Sequence, residues 1–115
     1  MPSPITTHVL DLATGRPGAD IQVVLDQRDA AGRWSRLAEG RTDADGRIAE
    51  LLKPEAVLPP SLYRLCFAVA PYFEAQGRES FYEFVPIVFK IDDPEEHYHV
   101  PLLLSPFGYS TYRGS

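Results

Sequence analysis

An all-β sandwich is the fold class this sequence predicts, and three observations carry that expectation. Apolar residues recur at every second position over short stretches, as Ile21, Val23 and Leu25 do against Gln22, Val24 and Asp26, which is the period of a strand with one buried face. Turn-forming clusters punctuate the chain at short intervals, with no internal repeat and no low-complexity segment between them. Leu62 to Ala70 is almost entirely apolar, the pattern of a strand covered on both faces or lying at an interface.

Taken in order, Thr7 to Leu12 reads as a first strand, ended by Thr14-Gly15-Arg16-Pro17-Gly18, whose residues favour a turn. Ile21 to Asp26 forms the second, and Ala30-Ala31-Gly32 breaks it. A third strand around Trp34 to Leu37 leads to Thr42-Asp43-Ala44-Asp45-Gly46, where the Asp-Gly pair suits positive φ, and the chain resumes as a strand at Arg47 to Leu51. After a Pro-rich break from Lys53 to Pro60 comes the apolar strand Leu62 to Ala70, which Pro71 is expected to end. Tyr72 to Glu79 has room for one short helix of about two turns with Gly77 closing it. Phe84 to Ile91 is a further strand; the acidic loop Asp92 to Glu96 follows; His97 to Leu104 is the penultimate strand and the tail the last.

At 115 residues the chain is expected to be a single domain, 1–115, since it is too short for two independent cores. Eleven basic against sixteen acidic residues give a net charge of −5 with no basic stripe, which argues against a nucleic-acid partner. No apolar run is long enough to cross a bilayer, and the first residues lack the basic start and apolar core of a signal peptide, so neither a membrane nor an export route is expected. Cys66 is the only cysteine; set in Leu65-Cys66-Phe67, it reads as a buried, inert thiol in a protein of the reducing cytoplasm.

The candidate chemistry concentrates at the C-terminus. Tyr109-Ser110-Thr111-Tyr112-Arg113-Gly114-Ser115 offers phenols, hydroxyls, a rigid fork of donors on Arg113, and a glycine that permits close backbone approach. On the strand before it, the period of two puts His97 and His99 on one face and Tyr98 and Val100 on the other. Three readings of the histidines compete. His8, His97 and His99 have the makings of a three-nitrogen zinc site with an open fourth position. One imidazole near its ordinary pKa, His8 or His99, has the makings of a metal-free base with Arg47 or Arg113 beside the oxygen that gains charge. Each histidine singly also suits a half-buried structural role. Composition and spacing do not separate the three.

A resemblance does. Thr6-Thr7-His8-Val9-Leu10-Asp11, Thr42-Asp43-Ala44-Asp45-Gly46-Arg47, His97-Tyr98-His99-Val100-Pro101-Leu102-Leu103 and Tyr112-Arg113-Gly114-Ser115 together, in that order, resemble the 5-hydroxyisourate hydrolases, the transthyretin-related enzymes of purine catabolism. The resemblance implies a transthyretin-like sandwich of two sheets and about eight strands with one short helix, assembled as a homotetramer of two dimers with its sites in the channel between them. It implies hydrolysis of 5-hydroxyisourate to 2-oxo-4-hydroxy-4-carboxy-5-ureidoimidazoline with no metal or cofactor. The catalytic positions it implies are His8, Arg47 and His99, with His97 a neighbour. Ser110, Tyr112, Arg113, Gly114 and Ser115 are implied to shape the substrate pocket. A carrier of small aromatic ligands on the same sandwich is the alternative. The chain departs from the family pattern at Gly18, in the turn entering the second strand, where alanine is usual.

Overall fold

The computed structural model describes residues 3–115. Over these, eight strands form two four-stranded sheets, with one short helix between the fifth and sixth strands. The first sheet runs β2 (Arg16–Pro17), β1 (Ile5–Asp11), β7 (Tyr98–Ser105), β8 (Gly108–Thr111). The second runs β4 (Trp34–Arg41), β3 (Gln22–Arg28), β5 (Ser61–Ala68), β6 (Phe84–Ile91).

Alternation decides which faces meet. From the first sheet Ile5, Val9, Val100, Leu102 and Leu104 turn inward, and from the second Val23, Leu25, Tyr63, Leu65, Phe67 and Val85, all of them buried. These facing rows make one core between the layers. All strand pairs are antiparallel except β1 with β7, which run parallel in a register that sets Thr6 beside His99 and His8 beside Pro101.

Several boundaries differ from the sequence expectation, each for a local reason. The first strand begins at Ile5, because Ile5 and Thr6 already pair with Tyr98 and His99. The expected turn at Thr14 to Gly18 contains the two-residue strand β2, which folds back on Leu10 and Asp11. β4 continues past Leu37 to Arg41, paired with β3 on both sides of a register shift that leaves Leu37 without a partner. The expected strand Arg47 to Leu51 is reduced to a single bridge between Arg47 and His8; Ile48 and Leu51 instead plug the core from a loop.

β5 alternates buried and half-buried residues, so its second face is not a core face within this chain: there Arg64 pairs with Asp26 at 2.8 Å and its guanidinium stacks on Trp34. Cys66 lies half-buried on that same face, and burial pushes its thiol above its ordinary pKa. Pro71 does not end the strand. α1 (Val69–Glu74) has already begun, and a proline in its first turn gives up only an N–H that no helical carbonyl would have accepted. The amides of Val69 and Ala70 reach the Glu83 carbonyl instead, both at 3.2 Å. Gly77 closes the following turn at φ +66°, as a terminating glycine should.

The helix is tied to the end of β1 through Asp11, which is wholly buried. One carboxylate oxygen accepts from the amides of Ala13 and Thr14; the other accepts from the Tyr72 hydroxyl and the Arg78 guanidinium, both at 2.8 Å. Burial alone would raise the Asp11 pKa, but Arg78, Tyr72 and the two amides outweigh it and hold the carboxyl below its ordinary value. Gly18 fits its place, since a Cβ there would fall 2.5 Å from Cγ1 of Val9.

Candidate active site

The outward face of the first sheet gathers the residues of interest. Along β1, Ile5, Thr7, Val9 and Asp11 are buried while Thr6 and His8 take the opposite face. Along β7, Tyr98 and Val100 are buried while His99 points the other way, and His97 stands exposed just before the strand. The parallel register then brings His99 next to Thr6. The Thr6 hydroxyl oxygen lies 2.8 Å from Nε2 of His97 and 2.9 Å from Nδ1 of His99, joining both imidazoles.

Arg47 is delivered by the turn before it. Asp43 accepts the amides of Asp45 at 2.9 Å and of Arg47 at 3.0 Å on one carboxylate oxygen, which winds the turn tightly. Gly46 sits at φ +76°, and a Cβ there would overlap the Val9 carbonyl oxygen, so both the conformation and the space demand glycine. The Val9 amide donates to the Gly46 carbonyl at 2.8 Å, and this clamps Arg47 to the edge of β1 opposite His8.

The tail closes the arrangement. Beyond β8 the Gly114 amide donates to the His99 carbonyl at 2.8 Å, with no room for a side chain between its backbone and the imidazole. A Cβ at Gly114 would overlap Cδ2 of His99. Thr6, Arg47, His97, His99 and Ser115, with Asp43 at the rim, line a shallow open depression of about 380 Å³.

His99 is held below its ordinary pKa: burial disfavours its charged form, the positive charge of Arg47 adds to this, and His97 and His8 add further, while the contact with Thr6 acts the other way. At neutral pH the ring is therefore uncharged and able to accept a proton. Its Nδ1 is engaged by Thr6, and Nε2 finds no protein partner among the described residues.

The remaining tail residues lie elsewhere within this chain. The Arg113 guanidinium pairs with Glu96 at 3.2 Å, reaches the His97 carbonyl at 3.4 Å and stacks over the Tyr98 ring. Tyr112 and Arg113 line a separate, largely apolar groove of about 240 Å³ with Val88, Lys90 and Tyr98. Ser110 stands exposed on β8 opposite Leu103. Thus the depression unites Arg47, His99 and Ser115, with His8 bridged to Arg47 and Gly114 packed on His99. Thr6 and Asp43 are additions to the residues expected from the sequence: Thr6 shares the outward face of β1 with His8, and Asp43 winds the turn that delivers Arg47. Among the described residues no group of three or more His, Cys, Asp or Glu side chains converges as a metal-ligand set; His97 and His99 aim their nitrogens at a hydroxyl they share.

The sequence model described as Transthyretin, the HIUase/Transthyretin family, matches residues 5–114. The chain belongs to that family. A 5-hydroxyisourate hydrolase of Caulobacter vibrioides is 48% identical over 118 residues, covering 98% of this chain and 99% of its own. Among solved structures of the HIUase/Transthyretin family, the 5-hydroxyisourate hydrolase of Klebsiella pneumoniae superposes with a TM-score of 0.83 at 39% identity, covering 96% of this chain and 98% of its own. Sea bream transthyretin, solved in complex with thyroxine, superposes with a TM-score of 0.89 at 35% identity, covering 96% and 94%. Backbone similarity within the HIUase/Transthyretin family thus extends to a hydrolase and to a transthyretin in complex with thyroxine alike, and what separates them must lie in side chains.

Proposed function

We propose that this chain hydrolyses 5-hydroxyisourate to 2-oxo-4-hydroxy-4-carboxy-5-ureidoimidazoline, as a step of urate degradation, without a metal or cofactor. The observation that carries the reading is the convergence of a neutral His99, the Arg47 guanidinium and the tail backbone at one depression, in a chain that is 48% identical to a hydrolase of that name.

The roles follow from the groups. A guanidinium fork suits the carbonyl edge of a flat, polar ring and stabilises the oxygen that gains charge when its acyl carbon is attacked. His99 takes a proton from the attacking water through Nε2. As the ring C–N bond breaks, the acyl carbon keeps the hydroxide oxygen and becomes a carboxylate, and the leaving nitrogen takes a proton. His8, bridged to Arg47, is placed to orient the water or to supply that proton. Base catalysis is worth about 10²–10⁴ in rate and oxyanion stabilisation about 10²–10³.

The reading extends to a cytoplasmic enzyme formed by one domain, 1–115, and to a homotetramer. Support for assembly comes from the open edges β6 and β8, where Phe84 and Val88 on β6 and Tyr112 just past β8 are more than half exposed at 56%, 52% and 58%. In the tetramer the outer face bearing His8 and His99 would meet its counterpart on another copy, and Ser110, Tyr112 and Arg113 would shape the shared pocket.

The test is the ultraviolet decay of 5-hydroxyisourate, generated in place from urate by urate oxidase, with the full chain, with His99→Ala, and with a chain lacking Tyr112 to Ser115. Acceleration by the first and its loss in the others supports the reading. No acceleration by a protein of tetrameric native mass points instead to a carrier, which the likeness to a thyroxine-bound transthyretin keeps in view and which ligand binding would then establish. Stoichiometric zinc with activity lost to a chelator would overturn the metal-free mechanism.

A further inference from the structure

We infer that Thr6 is a positioning residue of this site: its hydroxyl passes a hydrogen bond from His99 to His97, so that His99 carries its proton on Nδ1 and presents a lone pair at Nε2. The inference rests on the hydrolase reading for its catalytic meaning, though not for its geometry.

A hydroxyl has one proton to give and lone pairs to receive. Between two neutral imidazoles at 2.8 and 2.9 Å it is fully matched only when one facing nitrogen is an N–H and the other a lone pair. Two lone pairs would compete for one proton, and two N–H groups would leave that proton without either ring to receive it. Two directions remain. In one, His99 Nδ1–H donates to Thr6 and Thr6 donates to His97 Nε2; in the other, the chain of donors is reversed and the His99 proton sits on Nε2.

Arg47 breaks the tie. Arg47 and His99 line the same depression, and the positive charge of Arg47 acts on that ring. A lone pair at Nε2 is stabilised by the cation, whereas an N–H there would set donor against donor. On the side toward the tail the ring is closed by Gly114, so the imidazole has little freedom to turn that way.

The same relay makes the site answer to His97. A protonated His97 must present Nε2–H to Thr6; the hydroxyl then turns its proton to His99 Nδ1, and the His99 proton moves to Nε2, where it blocks base action. The charged and titratable groups around the pair are Glu96 and Arg113 on the His97 side, and Arg47, Asp43 and His8 on the His99 side.

Three forms of the full chain test this: the parent, Thr6→Ser, which keeps the hydroxyl, and Thr6→Val, which replaces it with a methyl of similar size. Long-range proton–nitrogen correlation spectra read the tautomer of His99 directly; decay of 5-hydroxyisourate reads kcat, KM and the acid limb. The parent and Thr6→Ser are expected to show His99 protonated at Nδ1. In Thr6→Val, kcat is expected to fall by about 10–100-fold with KM held. Its acid limb should also change from a two-proton to a one-proton dependence. A parent His99 protonated at Nε2 overturns the inference, as does a folded Thr6→Val with parental kcat and acid limb. A parent that leaves 5-hydroxyisourate untouched overturns the hydrolase reading instead, and the spectra still decide the direction of the relay.

Discussion

Gly114→Ala is the most telling small change available, because one methyl group is set against the ring proposed to act as the base. The new Cβ would overlap Cδ2 of His99 and press on Cγ of Pro101 at 3.3 Å, so either the ring or the tail must yield. Turning the ring means an off-rotamer side chain, about 0.5–1.5 kcal/mol. It also means loss of the Thr6 contact, about 1 kcal/mol more. Lifting the tail forfeits only the hydrogen bond from the Gly114 amide to the His99 carbonyl, about 1 kcal/mol. The tail is therefore expected to lift. Calorimetry should show a melting temperature lowered by no more than about 4 °C. Activity should suffer far more, since His99 loses the backbone surface that holds it and a shift near 1 Å of a reacting group is worth about 10² in rate. The decay assay with 5-hydroxyisourate would show kcat down by that order. A Gly114→Ala protein with parental kcat would refute the idea that the tail backbone fixes the imidazole.

Two further outcomes are expected. Gly46→Ala forces a left-handed backbone at φ +76° onto a residue with a Cβ and drives that atom into the Val9 carbonyl; urea unfolding should show a loss of about 1–3 kcal/mol, and turnover should fall with it as Arg47 leaves its place beside His8. Arg78→Met leaves the buried Asp11 carboxylate with Tyr72 and two amides only, at a loss of about 2–4 kcal/mol near pH 7. Because the folded Asp11 pKa lies below the unfolded one, its stabilisation is complete above about pH 4 and is lost as pH falls through the folded value, so the parent and Arg78→Met curves should converge in acid.

What the sequence discloses is what its local chemistry encodes. The alternation of His97 and His99 against Tyr98 and Val100 follows from the strand period, and the Asp-Gly turn before Arg47 from the φ that glycine permits. The limits are equally physical. Pro71 looked like a stop because a proline breaks a strand, yet the same residue is harmless in a first helical turn. Ile48 and Leu51 looked like strand residues, but the core needed a plug more than the sheet needed an edge. Thr6 was invisible as a site residue because its partners lie 91 and 93 positions away. Arg113 seemed free for a ligand until Glu96 and the Tyr98 ring were found beside it.

The parallel pairing of β1 with β7 also sets the order in which this protein can come alive during synthesis. When Ile5–Asp11 leaves the ribosome its long-term neighbour has not been made, and the only other strand on its far side is the two-residue β2. For most of translation, then, an apolar strand waits with an open edge, in a topology whose distant contacts close slowly. A chain stalled before Tyr98 can complete the second sheet, since β3, β4, β5 and β6 pair only among themselves, but its first strand still lacks the neighbour that pairs with it along its whole length. Half of the sandwich is thus able to form early, while the face bearing His8 and His99 can be assembled only after β7 has been made.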